Sequence, residues 1–185
     1  MQILVLSGSR NPEGQTARAA NAISKGATKA GSNTEHIFLP ELNLERCRQC
    51  ENDGWGVCRQ EERCIIDDDF SSLVDKIKSS DVIVFATPVY FSDSSESMRG
   101  FLDRFLRICA HITVKPAQDI SAVGLCLAGG GGGGAPYACF NLERILQKCG
   151  FDVVDMIPIR RQNLDAKLPI LELIGAWLAT KPTSK

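Results

Sequence analysis

A chain of 185 residues, 44% of them hydrophobic, is long enough to bury one substantial core and needs only one domain, 1–185. Its 21 basic and 22 acidic side chains nearly cancel and only 6% of residues are aromatic, so no basic stripe with interleaved aromatics is available for nucleic acid. No apolar run approaches the ~20 residues that span a bilayer, and the first residues carry neither a charged leader nor a cleavage pattern, so a cytoplasmic protein with no membrane partner is expected.

The apolar run Ile3, Leu4, Val5 and Leu6 reads as a buried parallel strand. It breaks into Ser7, Gly8, Ser9 and Arg10 and, after four more residues, into Gln15 and Thr16, where a helical pattern over 16–30 begins. A small-residue loop of this kind lets backbone N–H groups and hydroxyls converge on an anion at a helix N-terminus, with Ser9, Gln15 and Thr16 as donors. Neither Gly-x-Gly-x-x-Gly nor Gly-Lys-Ser/Thr is present, which favours a mononucleotide over a dinucleotide or ATP. An ordinary capped βα turn remains the alternative.

A short second strand is expected over 34–39, followed by a stretch without sustained periodicity over 40–63; such a segment inside a compact domain usually has a function. The run Asp67, Asp68 and Asp69 directly precedes an amphipathic helix over 68–79 and reads as helix capping, not as a metal site. The clearest strand, 81–86, stops at Thr87, Pro88, Val89, Tyr90 and Phe91, and a helix follows over 94–112. A strand over 120–127, Ala128, six glycines from Gly129 to Gly134, a helix over 136–149, a strand over 153–157 and a helix over 165–179 complete the chain. Five strands alternating with five helices predict a three-layer α/β sandwich: a five-stranded parallel sheet of order 2-1-3-4-5 with helices on both faces.

In that order the loops after the first, third and fourth strands lie side by side, where doubly wound folds bind ligands. A flat aromatic ligand fits the loop bearing Tyr90 and Phe91, and glycines without side chains allow close approach to a planar ring. Core capping by the two aromatics and a flexible lead-in to the next helix are the plain alternatives. His36, in a strand pattern, and His111, at a helix end, lie in no motif suited to nucleophilic catalysis.

Eight cysteines exceed what a cytosolic core needs. Cys109, Cys126, Cys139 and Cys149 lie in apolar-periodic stretches and are expected to be buried as small hydrophobes. Cys47, Cys50, Cys58 and Cys64 fall within an irregular loop, about 40–66, close enough in sequence to meet on one metal. An iron-sulfur cluster, a zinc ion, and free or redox-active thiols without metal all stand open. Trp55, on a glycine-flanked tip, is either a lid or an inconsequential surface aromatic.

Ser7-Gly8-Ser9-Arg10 with Gly14-Gln15-Thr16, then Thr87-Pro88-Val89-Tyr90, then the helix with Met98, Arg99, Phe101, Leu102, Asp103 and Arg104 resemble the NAD(P)H-dependent FMN reductase and iron-sulfur flavoprotein branch of the flavodoxin-like superfamily. The resemblance covers nearly the whole chain. It implies noncovalent FMN, with its phosphate on Ser9, Gln15 and Thr16 near Arg10, and its isoalloxazine between the loop from Pro88 to Phe91 and Ala128, Gly129, Gly130 and Gly131. It also implies NAD(P)H as substrate, a small-molecule acceptor (quinone, flavin or azo compound), chemistry at the flavin with Tyr90 the one contributing side chain, and a homodimer or tetramer. Compact cysteine sets in this branch bind a four-iron cluster, but the seven residues between Cys50 and Cys58 exceed that motif. An iron-sulfur electron carrier and a non-redox binding module are the functional alternatives.

Overall fold

The computed structural model describes residues 1–180. Five strands form one parallel sheet: β1 (Gln2–Ser7), β2 (Asn33–Phe38), β3 (Val82–Tyr90), then β5 (Ser121–Ala128) and β6 (Asp152–Arg160), ordered β2-β1-β3-β5-β6. This is the expected 2-1-3-4-5 order. A two-residue strand that the sequence did not suggest, β4 (Asp93–Ser94), adds antiparallel to the end of β3.

Period-two alternation divides the strand side chains between two cores. Ile3, Val5, Val82, Val84, Val123 and Leu125 pack under α1 (Gln15–Lys29) and α5 (Leu164–Leu178). Leu4, Leu6, Ile83, Phe85, Ala122 and Cys126 pack under α2 (Phe70–Lys78), α3 (Glu96–Cys109) and α4 (Ala135–Cys149). Cys109, Cys126, Cys139 and Cys149 are all buried, as their apolar surroundings predict.

Where α1 crosses α5 the two backbones nearly touch. A Cβ on Gly26 would lie 1.8 Å from the carbonyl oxygen of Glu172, and one on Gly175 would lie 2.0 Å from that of Ile23. Only glycine allows this approach.

Two local expectations are corrected. The third strand does not stop at Thr87 but continues through Pro88 and Val89 to Tyr90, paired with β5 as far as Val89. Pro88 is tolerated because pairing with β1 ends at Ala86, so no ladder donor is missing on that side. The following helix starts at Glu96, not 94, because Ser95 is its N-cap and accepts from the Met98 N–H at 3.4 Å.

Candidate functional site

The carboxyl ends of β1, β3 and β5 are adjacent in the sheet, and contacts link the segments that leave them. The Gly8 N–H donates to the Ala86 carbonyl at 2.8 Å. The Ser95 and Ser97 hydroxyls donate back to the Gly8 carbonyl at 2.8 and 3.0 Å. A Cβ on Gly8 would come within 2.4 Å of Ser95 Oγ, so the first loop seats directly on the N-terminus of α3. A Cβ on Gly134 would come within 2.8 Å of Ser92 Oγ, which joins the third loop to the second.

Within this frame the candidate residues take two kinds of place. Ser7 and Thr87 are fully buried and face inward: Ser7 Oγ accepts from the Ser9 N–H, and Thr87 Oγ1 accepts from the Ser95 N–H at 3.0 Å. They brace the loops instead of presenting hydroxyls to a ligand. Ser9, Arg10 and Gln15 are at least partly accessible, while Thr16 is only 4% exposed. The N-cap of α1, Gly14, supplies no side-chain cap, and the first turn holds no acidic residue. The free N–H groups and the positive end of the helix dipole therefore face the loop uncompensated.

Tyr90 and Phe91 do not cap the core. Tyr90 is 60% exposed and Phe91 wholly so. Phe91 and Ser92 form the two-residue turn between β3 and β4, with φ of +48° and +68°. A tight hairpin of the primed type demands positive φ at both central positions, normally met by Asn-Gly. Phe-Ser meets it at a cost, so this aromatic is held out in solvent by a strained turn.

Cβ atoms built on Gly129, Gly130, Gly131 or Gly133 would meet nothing within 4 Å. Internal packing does not require glycine there, whereas Gly132 (φ +75°) and Gly134 (φ +83°) need it. Free space along backbone beside two exposed aromatics suits a planar ring. Two residues that sequence reasoning missed shape this edge: Gln162 Nε2 donates to the Gly130 carbonyl at 3.2 Å, and the Arg160 stem lies against Gly132. Arg160 ends β6, the strand paired with β5, and Arg161 follows it. Their position one strand away from the glycine run is visible only in the sheet order.

The cysteine loop packs over α3 and is ordered by one buried ion pair. Arg104, 2% exposed, grips Asp68, 0% exposed, through two N–H···O bonds of 2.6 and 3.0 Å. It also donates to the Glu45 carbonyl at 2.9 Å and lies 4.1 Å over the Phe70 ring. Burial alone would raise the Asp68 carboxyl, but the Arg104 guanidinium and the N–H groups of Glu45 and Phe70 outweigh it and hold it below the usual carboxylate range. Asp69 accepts from the Asn43 N–H at 2.7 Å. The acidic run caps the start of α2 through the Phe70 N–H bond to Asp68 at 3.1 Å, as expected, and in addition clasps the loop, a role visible only with Arg104 in view.

Cys47, Cys50, Cys58 and Cys64 all border one hollow of about 20 Å3, together with Arg104 and Arg107. Among the described residues no group of three or more His, Cys, Asp or Glu side chains is placed to hold a metal ion. Trp55 is no idle aromatic: Arg107 lies 4.7 Å and Arg59 5.5 Å from its ring centroid, and His111 meets its edge. His36 stacks on Phe38 and bonds Asn21 through Nδ1, which gives it a structural place.

Comparison with known proteins agrees with this geometry. An NAD(P)H:quinone oxidoreductase from Methanothermobacter marburgensis superposes with a TM-score of 0.75 over 96% of both chains at 21% identity, a likeness of fold. The chain is 32% identical over 104 residues to iron-sulfur flavoprotein MJ1083 of Methanocaldococcus jannaschii, covering 56% of this chain and 51% of that protein. It is 28% identical over 104 residues to an iron-sulfur flavoprotein of Methanosarcina thermophila, covering 56% and 52%. It thus spans about half the length of these relatives. Residues 1–163, which hold all three loops and the clasped cysteine segment, match the profile of the NADPH-dependent FMN reductases, and to that family the chain belongs.

Proposed function

We propose that the chain is an FMN-dependent oxidoreductase that takes reducing equivalents from NAD(P)H and passes them to a small acceptor of the quinone, flavin or azo type. The observation that carries this reading is the uncapped N-terminus of α1 together with Gly129, Gly130 and Gly131, where no packing among the described residues requires glycine. The N–H groups at Gln15 and Thr16, with Ser9 and Arg10, hold the phosphate. The backbone at Ala128, Gly129, Gly130 and Gly131 lies along one edge of the ring system, and Pro88, Val89, Tyr90 and Phe91 border the other. FMN, when bound, supplies the hydride chemistry. The chain's part is to orient the ring, restrict water and leave one face open for donor and acceptor in turn. Neither histidine is called upon as an acid or base. A homodimer in which a second copy covers Tyr90 and Phe91 accompanies this reading.

The test is an absorption spectrum of anaerobically purified protein, followed by FMN titration and NAD(P)H oxidation with a soluble quinone. Flavin bands with quinone-dependent NAD(P)H oxidation are expected. A folded chain that takes up no FMN overturns the proposal in favour of a non-redox binding module.

A second reading rests on the four thiols around one hollow beside two guanidinium groups. Four thiolates would suit a tetrahedral S4 site, although the described side chains are not grouped to hold a metal ion as they stand, so this reading requires the loop to draw them together. The relatives named iron-sulfur flavoproteins favour a cluster, with electron transfer as the role. Metal and acid-labile sulfide analysis of the same sample separates the two: zinc without sulfide supports a structural site, iron with sulfide an electron carrier.

A further inference from the structure

The outer face of α3 carries a feature that the redox reading leaves unused. Between the cysteine loop, α3 and the C-terminal end of α4 lies a concave basin of about 760 Å3, a size typical of small-molecule sites, with no lining residue from the three nucleotide loops. Its walls include Arg46, Arg107, Lys115 and Lys148, with Trp55 at the side of the cysteine loop.

What sets these cations apart is that four side chains without an acidic partner among the described residues share one concavity. Ten other basic side chains form ion pairs among the described residues, and none of these four does. Arg107 donates to the Gly54 carbonyl at 2.6 Å, and Lys115 to the Lys148 carbonyl at the end of α4. Both bonds fix position without neutralising charge. The one carboxylate on the wall, Asp103, is claimed by Arg99 at 2.9 Å. Four uncompensated cations in one concavity attract a polyanion, and the Arg fork and the Lys ammonium are both phosphate binders. The indole wall adds a surface for a planar base, held in place by Arg107, Arg59 and His111.

We propose that this basin binds a nucleoside polyphosphate, its base against Trp55 and its phosphates across Arg46, Arg107, Lys115 and Lys148. A free nucleotide and the phosphorylated adenosine end of a nicotinamide dinucleotide share this chemistry. The site is separate from the FMN loops and does not depend on the redox assignment.

Isothermal titration of FMN-saturated protein with ADP, NADP+, pyrophosphate and adenosine tests it. ADP or NADP+ is expected to bind one site per chain without displacing FMN, pyrophosphate to bind more weakly and adenosine weakest. The tighter of ADP and NADP+ identifies the source. The double variant Lys115→Gln/Lys148→Gln, two changes at partly or fully exposed positions, is expected to weaken binding at least about tenfold, with thermal midpoint and FMN affinity unchanged. Trp55→Leu is expected to weaken ADP while sparing pyrophosphate. Absence of any heat with millimolar ADP and NADP+, displacement of FMN by either, or undiminished binding to the double variant overturns the proposal. A Trp55→Leu chain that melts early is replaced by Trp55→Phe, for which the same selective loss is expected.

Discussion

Phe91 condenses the site's logic into one residue. It occupies a left-handed position that costs a non-glycine residue about 1–2 kcal/mol, and its ring is wholly in solvent, so the described chain gains nothing from it. The sequence marked Phe91 as a ligand residue but hid the strain, because Phe-Ser carries none of the Asn-Gly signature of a tight hairpin. Phe91→Asn is expected to raise stability by about 1 kcal/mol while weakening FMN binding, read by thermal melting and by flavin fluorescence; equal or tighter FMN binding in the variant refutes a ligand role. Asp68 makes the opposite case. Asp68→Asn leaves Arg104 charged and buried without its counter-ion, at a cost of about 3–5 kcal/mol. Its carboxyl titrates lower in the folded chain than its ordinary 3.8, so its contribution is complete above that value and disappears as pH falls through the lower, folded value. Burial also lowers His36 from 6.5, so its contribution is whole above 6.5 and erodes below it. Melting against pH is therefore expected to fall first below about 6.5 and again below about 4, and Asp68→Asn is expected to shrink only the second step, to which the lowered carboxyls of Asp53 and Glu172 also contribute.

At the scale of elements, the parts governed by local pattern were legible and the parts governed by distant partners were not. Continuous apolar runs such as Val82 to Phe85 announce buried strands, and the order of the sheet follows from right-handed crossovers. The continuation of β3 through Pro88 was not readable, because proline normally ends a central strand and only the end of β1 at Ser7 removes the objection. The clasp of the cysteine loop was hidden for a similar reason, since Asp68 and Arg104 are 36 positions apart and each has an innocent local reading. The α1–α5 crossing belongs to the same class: Gly26 looks like a defect in an alanine-rich helix until Glu172 arrives within 1.8 Å of where its Cβ would be. Gly26→Ala, which would improve an isolated helix by about 1 kcal/mol, is expected to cost the protein about 1–3 kcal/mol as the helices are forced apart. Thermal midpoints should fall by about 2–12 °C. A rise would mean that the two helices are free to separate.

For the whole molecule, the proposed ligand contacts come from segments around residues 9–16, 88–91 and 128–131, which are neighbours only once β1, β3 and β5 are paired. The unfolded chain cannot assemble them. FMN therefore acts on the folded state alone and stabilises it by mass action, about 2.7 kcal/mol at a hundredfold excess over its dissociation constant. For a chain of this length that corresponds to about 5–11 °C in thermal midpoint. Which contacts generate the shift is separable with the glycine run. Gly130→Ala adds a methyl group where, beyond its chain neighbours, none of the described residues lies within 4 Å, so the apo midpoint is expected to stay put while the FMN-induced rise shrinks. Gly132→Ala places a Cβ at φ +75° and 2.9 Å from Gln162 Oε1, so the apo midpoint itself is expected to fall by about 2–4 °C for each kcal/mol of strain. If both variants instead keep the full rise with FMN, the flavin ring does not lie against this backbone. The glycine run would then serve only as the lead-in to α4, and the ligand edge would have to be sought on the side of Tyr90 and Phe91 alone.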